Sequence, residues 1–164
     1  MDRRKFIAAG LAGTAVGCRP TPRSRQNPWR FFSLEEARTV EAVCGHIIPE
    51  DQDPGAVRAG AVVYIDRQLT GFYKPLQETY RAGIRAIDRQ SVAFTGRRFA
   101  DLPPDSRLAV LRRVEQSPDT KPFFDLLVAH TMQGFYGNPR HGGNRDRASW
   151  KMLGVASPPV RGRR

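Results

Sequence analysis

The sequence predicts an all-α single domain of about five helices, closed by an irregular Gly/Asn/Pro-rich C-terminal segment. Apolar residues recur at three- and four-residue intervals in successive tracts between Leu34 and Phe135. Pro49, Gly71, Pro118 and Gly137 separate those tracts, as helix stops do. No tract alternates apolar and polar residues in the manner of a half-buried strand, and no internal repeat is found.

The first helix opens at Ser33-Leu34-Glu35-Glu36, where Ser33 can cap the amide of Glu36 and Glu36 can reach back. Leu34, Ala37, Val40, Val43, Cys44, Ile47 and Ile48 form its apolar stripe, and Pro49 ends it. Pro49 to Gly55 reads as a polar turn. A second helix is expected from Ala56, with Val57, Ala61, Tyr64, Ile65 and Leu69 inward, ending at Gly71. A third runs from about Leu76 to Phe94 on Leu76, Tyr80, Ile84, Ile87 and Ser91-Val92, weakened by Gly83. After the connection Arg97 to Pro104, Asp105 is expected to cap a short helix carrying Leu108, Leu111 and Val114. Thr120 to Tyr136 makes the last strong helix, with Phe123, Leu126, Leu127, His130, Thr131 and Phe135 inward. Gly137 to Trp150 holds too much Gly, Asn and Pro for a helix or strand.

The chain divides into residues 1–18, 19–30, 31–155 and 156–164. Residues 1–18 carry Arg3, Arg4 and Phe6, a short weakly apolar run and small residues before Cys18. That order predicts a twin-arginine export signal, which carries folded proteins. Phe6 to Val16 is about half of the roughly 20 apolar residues that span a bilayer. Cys18 after Ala15-Val16-Gly17 either fits a lipoprotein box, to be acylated, or lies just past an ordinary cleavage site. The Pro- and Arg-rich stretch 19–30 has the composition of a flexible tether, which favours lipidation. The basic end 156–164 is expected to be a disordered tail. Periplasmic location with membrane association follows as the expectation.

The net charge of +11 does not describe the domain. Arg3, Arg4 and Lys5 against Asp2, the tether arginines Arg19, Arg23, Arg25 and Arg30, and Arg161, Arg163 and Arg164 account for most of it. Residues 31–160 keep a net of about +2 with both signs interspersed, which argues against nucleic-acid binding. Apart from Cys18, only Cys44 is present, so no internal disulfide can form in the domain. Its place on an apolar stripe predicts a buried thiol.

No glycine-rich nucleotide cradle, Cys-x-x-Cys-His or nucleophile elbow occurs, so no catalytic, cofactor or metal residue is assigned to this chain. Asp51-x-Asp53-x-Gly55 starts like a calcium loop, but its twelfth position is Val62 instead of a bidentate Glu. His46, His130 and His141 lie in different elements without ligand spacing, and His130 reads as a hydrogen-bonded core residue. Two irregular stretches stand out, Pro49 to Ala56 and Gly137 to Trp150. Within them Pro49, Pro54, Gly55, Gly142, Gly143, Asn144 and Trp150 are the candidate partner-interface residues, since Trp150 needs an apolar surface to cover. That surface is either the chain's own helices or a partner.

Ile47-Ile48-Pro49, Asp53-Pro54-Gly55-Ala56 and Ala59-Gly60-Ala61-Val62 leading to Ile65-Asp66 then occur in order. Phe99-Ala-Asp-Leu102, Gly137-Asn-Pro139, Gly142-Gly143-Asn144 and Trp150 follow. In these motifs residues 31–155 resemble the small, or gamma, subunit of membrane-bound gluconate 2-dehydrogenase and its relatives. The resemblance implies a non-catalytic subunit that lends its twin-arginine signal to a flavoprotein dehydrogenase large subunit and stabilises it. It further implies FAD in that partner, haem c in a cytochrome c subunit, and passage through the twin-arginine translocase. The lipoprotein box departs from that pattern and adds a membrane anchor. The alternative reading is a stand-alone periplasmic lipoprotein that binds a small ligand or envelope component.

Overall fold

The computed structural model describes residues 27–156. The expectations on Arg3, Arg4, Phe6 and Cys18, on most of the tether and on the basic tail lie outside the described residues. Within them the chain is all-helical, with six α-helices and four short 3-10 turns. None of these helices is long and apolar enough to cross a membrane.

Helix α1 (Leu34–Ile47) starts on the expected reciprocal cap. The Glu36 amide donates to Ser33 Oγ at 3.1 Å, and the Ser33 amide donates to Glu36 Oε2 at 2.8 Å. The helix stops one residue before Pro49, with Ile48 extended at φ −132°, as a residue ahead of proline prefers. Helix α2 (Ala61–Leu69) begins later than its apolar pattern suggests. Residues 56–60 form a hydrogen-bonded turn in which Ala59 donates to Gly55 O and Gly60 to Val57 O, so Val57 faces solvent and not the core. Leu34, Val92 and Leu108, also expected inward, are about half exposed, because each lies at the flank of its helix's buried stripe.

Helix α3 (Gln77–Thr95) follows a 3-10 turn at Lys74–Leu76, and Gly83 sits buried beneath the Phe123 ring. Helix α4 (Pro104–Gln116) takes Pro103 as its N-cap, and no side chain caps it. Asp105 lies instead in the first turn, where a carboxylate still favours the positive end of the helix dipole. Helix α5 (Lys121–Tyr136) is the hub and touches all five other helices, α2 most extensively.

The C-terminal segment departs from expectation. Residues 148–152 form a short helix, α6 (Ala148–Met152), which carries Trp150. The turn-forming Gly, Asn and Pro residues stop at Asn144, so nothing in Ala148-Ser-Trp-Lys-Met152 opposes a helical turn.

The core gathers Phe32, Val40, Val43, Cys44, Ile65, Leu69, Tyr80, Ile87, Phe99, Val110, Val114 and Leu127 into one cluster. Cys44 is sealed in it, with Sγ 3.2 Å from Thr131 Oγ1, and burial pushes its thiol up to about 12. It is a structural thiol, as its place on the stripe implied.

A candidate partner surface at two irregular stretches

The two irregular stretches meet. The Arg145 amide donates to Ala59 O at 2.8 Å, tying the loop after α5 to the turn before α2. Together they wall a cleft of about 540 Å³ lined by Asp53, Pro54, Arg58, Arg145, Lys151 and Met152, among others. Its charges are mixed, with cationic side chains in excess.

The candidate residues divide by burial. Pro49 is exposed, while Pro54, Gly142 and Trp150 are half-buried. Gly55, Gly143 and Asn144 are buried within this chain. At Gly55 a Cβ would fall 2.6 Å from the Glu50 amide nitrogen and 2.7 Å from the Pro49 carbonyl carbon, so the turn closes too tightly for a side chain. At Gly143 a Cβ would collide with the carbonyl oxygen of Gly134 on α5. Gly142, at φ 104°, lies against the Arg67 side chain.

Asn144 holds the loop from inside. Its Nδ2 donates to Gly137 O at 2.9 Å, and its Oδ1 accepts the Ser149 amide at 3.0 Å. One side chain thus bridges the end of α5 to the first turn of α6. Trp150 Nε1 donates to Tyr136 O at 2.9 Å, capping a carbonyl of the last turn of α5 and folding the indole back on the chain's own helices. Asn144, Asp146 and Arg147 all have positive φ, at 44°, 56° and 58°. Asn and Asp tolerate this region, but Arg147 is strained there. The Arg147 amide, which donates to Asn144 O at 2.9 Å, and the Arg145–Ala59 bond hold that strain in place.

Asp66, named in the sequence only as part of a motif, has a structural role that the sequence does not assign. It is buried on α2, and its carboxylate accepts three successive backbone amides. Arg30 N–H meets Oδ2 at 2.8 Å, and Phe31 and Phe32 N–H meet Oδ1 at 2.9 and 3.1 Å. This clamp seats Phe32 in the core, with its ring centroid 6.1 Å from that of Tyr80. The available signal was an acidic residue placed on an apolar stripe, Val62-x-x-x-Asp66-x-x-Leu69.

The histidines stay in separate elements, and no group of three or more His, Cys, Asp or Glu side chains gathers among the described residues. His130 is a core residue, as expected. Its Nδ1 lies 2.7 Å from the Tyr80 hydroxyl, and its ring stacks on Tyr73 with centroids 4.1 Å apart. Burial lowers the His130 pKa and raises that of Tyr80, so the bond joins a neutral ring to an intact phenol. A folded pKa below the unfolded value of about 6.5 means that the unfolded chain binds the extra proton first. The stability from this pair is therefore complete above about pH 6.5 and declines as pH falls toward the lowered folded value. Urea midpoints at about pH 7.5 and about pH 5 should differ in that direction, and His130→Gln should flatten the difference.

Across residues 34–157 the chain matches the family described as gluconate 2-dehydrogenase subunit 3. The chain belongs to that family. No curated protein matches it, and no solved structure does. The family match begins at the first residue of α1 and runs past α6, so it takes in both irregular stretches and the Asp66 clamp's helix. Gluconate 2-dehydrogenase subunit 3 is by name one component of a dehydrogenase assembly.

Proposed function

We propose that this chain is a non-catalytic small subunit that binds a flavin-dependent dehydrogenase of the gluconate 2-dehydrogenase type, stabilises it, and carries it across the membrane by the twin-arginine route. The family match over residues 34–157 carries this reading. Arg3-Arg4 and Phe6 supply the export part, and Cys18 supplies a lipid tether on the periplasmic side. FAD would reside in the large subunit and haem c in a cytochrome subunit. The locked loop around Asn144 gives the reading a rigid scaffold on which a partner can be held.

The test is co-expression with a flavin-dependent dehydrogenase of the gluconate 2-dehydrogenase type from the same organism. Flavin-loaded dehydrogenase should accumulate in the periplasm with the intact chain and stay in the cytoplasm with Arg3→Lys/Arg4→Lys. Labelled fatty acid incorporated with Cys18 but not with Cys18→Ala marks the tether. A flavoprotein that folds, crosses and turns over substrate equally well without this chain sinks the proposal.

A further inference from the structure

From Leu126 to Pro139 the sequence contains no Asp, Glu, Lys or Arg, although Met132, Gln133 and Tyr136 of this stretch face solvent. A helix that carries no charge on its outer side over several turns, and exposes Met132 and Tyr136 there, is expected to be covered. Beside it the turn Thr70–Tyr73 holds Phe72 out into water at 85% exposure, the most exposed large apolar side chain among the described residues. The two features are continuous. Phe72 packs edge-on against Tyr73, at 5.5 Å between centroids, and Tyr73 against Tyr64 at 6.5 Å. Tyr64 lines one shallow cleft with Met132 and Tyr136.

This face is stiff and its polar atoms are turned on one another. Both phenols, Tyr64 and Tyr73, donate to Gln133 Oε1, and Tyr73 is stacked on the buried His130. A rigid aromatic surface with its hydroxyls already satisfied loses little entropy and little hydration when it is covered. The exposed charged side chains next to it along the chain, Arg67, Lys74 and Arg140, are all basic, and the neighbouring carboxylate of Asp66 is buried on backbone amides. Other exposed apolar residues lack this setting: Phe94, for instance, is covered by the Arg113 guanidinium at 3.9 Å.

We infer that the face formed by Phe72, Tyr73, Tyr64, Met132 and Tyr136 is where the dehydrogenase large subunit docks, through an apolar patch bordered by acidic side chains. This rests on the proposed subunit role and moves the contact from the strained loop to the outer face of α5. Phe72 is the anchor, because an exposed aromatic buries the most area on contact and loses nothing in this chain's own core.

Binding of the purified chain to a flavin-dependent dehydrogenase of the gluconate 2-dehydrogenase type from the same organism tests the inference. Phe72→Ala should weaken binding about thirtyfold, the effect of removing one anchor residue. Met132→Lys, which places a charge in the uncharged face, should weaken it comparably. Leu108→Ala, at an apolar residue on α4 about as exposed as Met132, should bind as the parent does. Circular dichroism and melting temperature should match the parent for all three, since none of these side chains belongs to the core. If the parent chain does not bind the flavoprotein, the subunit role falls and this surface with it. If the parent binds and Phe72→Ala and Met132→Lys bind equally well, the surface alone is wrong. Loss of self-association, or of binding to anionic vesicles, in the two variants with dehydrogenase binding intact would give the face to a second copy or to lipid and overturn the assignment.

Discussion

Asp66→Ala should destabilise the domain by about 3 kcal/mol, the largest effect expected of any single side-chain truncation outside the apolar core. The carboxylate is buried and accepts three consecutive amides, so its removal orphans three donors at once, the Phe32 amide fully buried and those of Arg30 and Phe31 partly so. Hydrogen bonds to a charged acceptor contribute about 1.5–3 kcal/mol, and an orphaned buried donor costs about 1–3 kcal/mol. For a domain of this size the melting temperature should drop by about 10 °C. Asp66→Asn keeps an acceptor oxygen but brings an amide group toward the same backbone donors, so it should recover only part of the loss. A melting temperature within about 2 °C of the parent for Asp66→Ala would show that the clamp is dispensable.

Gly143→Ala is the second large effect, about 2–3 kcal/mol, by a different route. Here nothing is removed. A methyl group is driven into the Gly134 carbonyl, which is backbone within α5 and cannot swing aside like a side-chain tip. Relief requires the loop to lift from α5, which strains the Asn144 bonds to Gly137 and Ser149 and the Arg145–Ala59 bond. Denaturant melts should show the loss, and amide exchange should show it concentrated in residues 137–152. Ala at the nearby exposed position Arg140 should leave both measurements unchanged.

What the sequence made legible was local. The reciprocal cap at Ser33 and Glu36, the stop at Pro49 and the inward stripe through Val40, Val43 and Cys44 each depend on residues within a few positions of one another. His130 was legible as a core residue for the same reason: its helix face is apolar. The Asp66 clamp was not, since its acceptor and donors lie 34 to 36 residues apart and only the fold brings them together. The late start of α2 was hidden because residues 56–60 continue the helical spacing of apolar side chains while Gly60, at φ 81°, breaks the backbone. Burial of Gly143 and Asn144 also came from tertiary packing. Both carry turn chemistry in sequence, and that chemistry is spent on joining α5 to α6.

The Asp66 clamp also determines how tension passes into the domain. A pull on the chain ahead of Asn27 meets the bonds from residues 30–32 before it meets α1, and their common acceptor is a single side chain on α2. The three bonds share that load in parallel instead of opening one by one. Immediately behind them Phe32 is wedged in the core and Ser33 is tied to Glu36. The N-terminal attachment thus works as a hitch bolted to the middle of the chassis: towing from that end draws on α2 and, through its contact with α5, on the whole bundle.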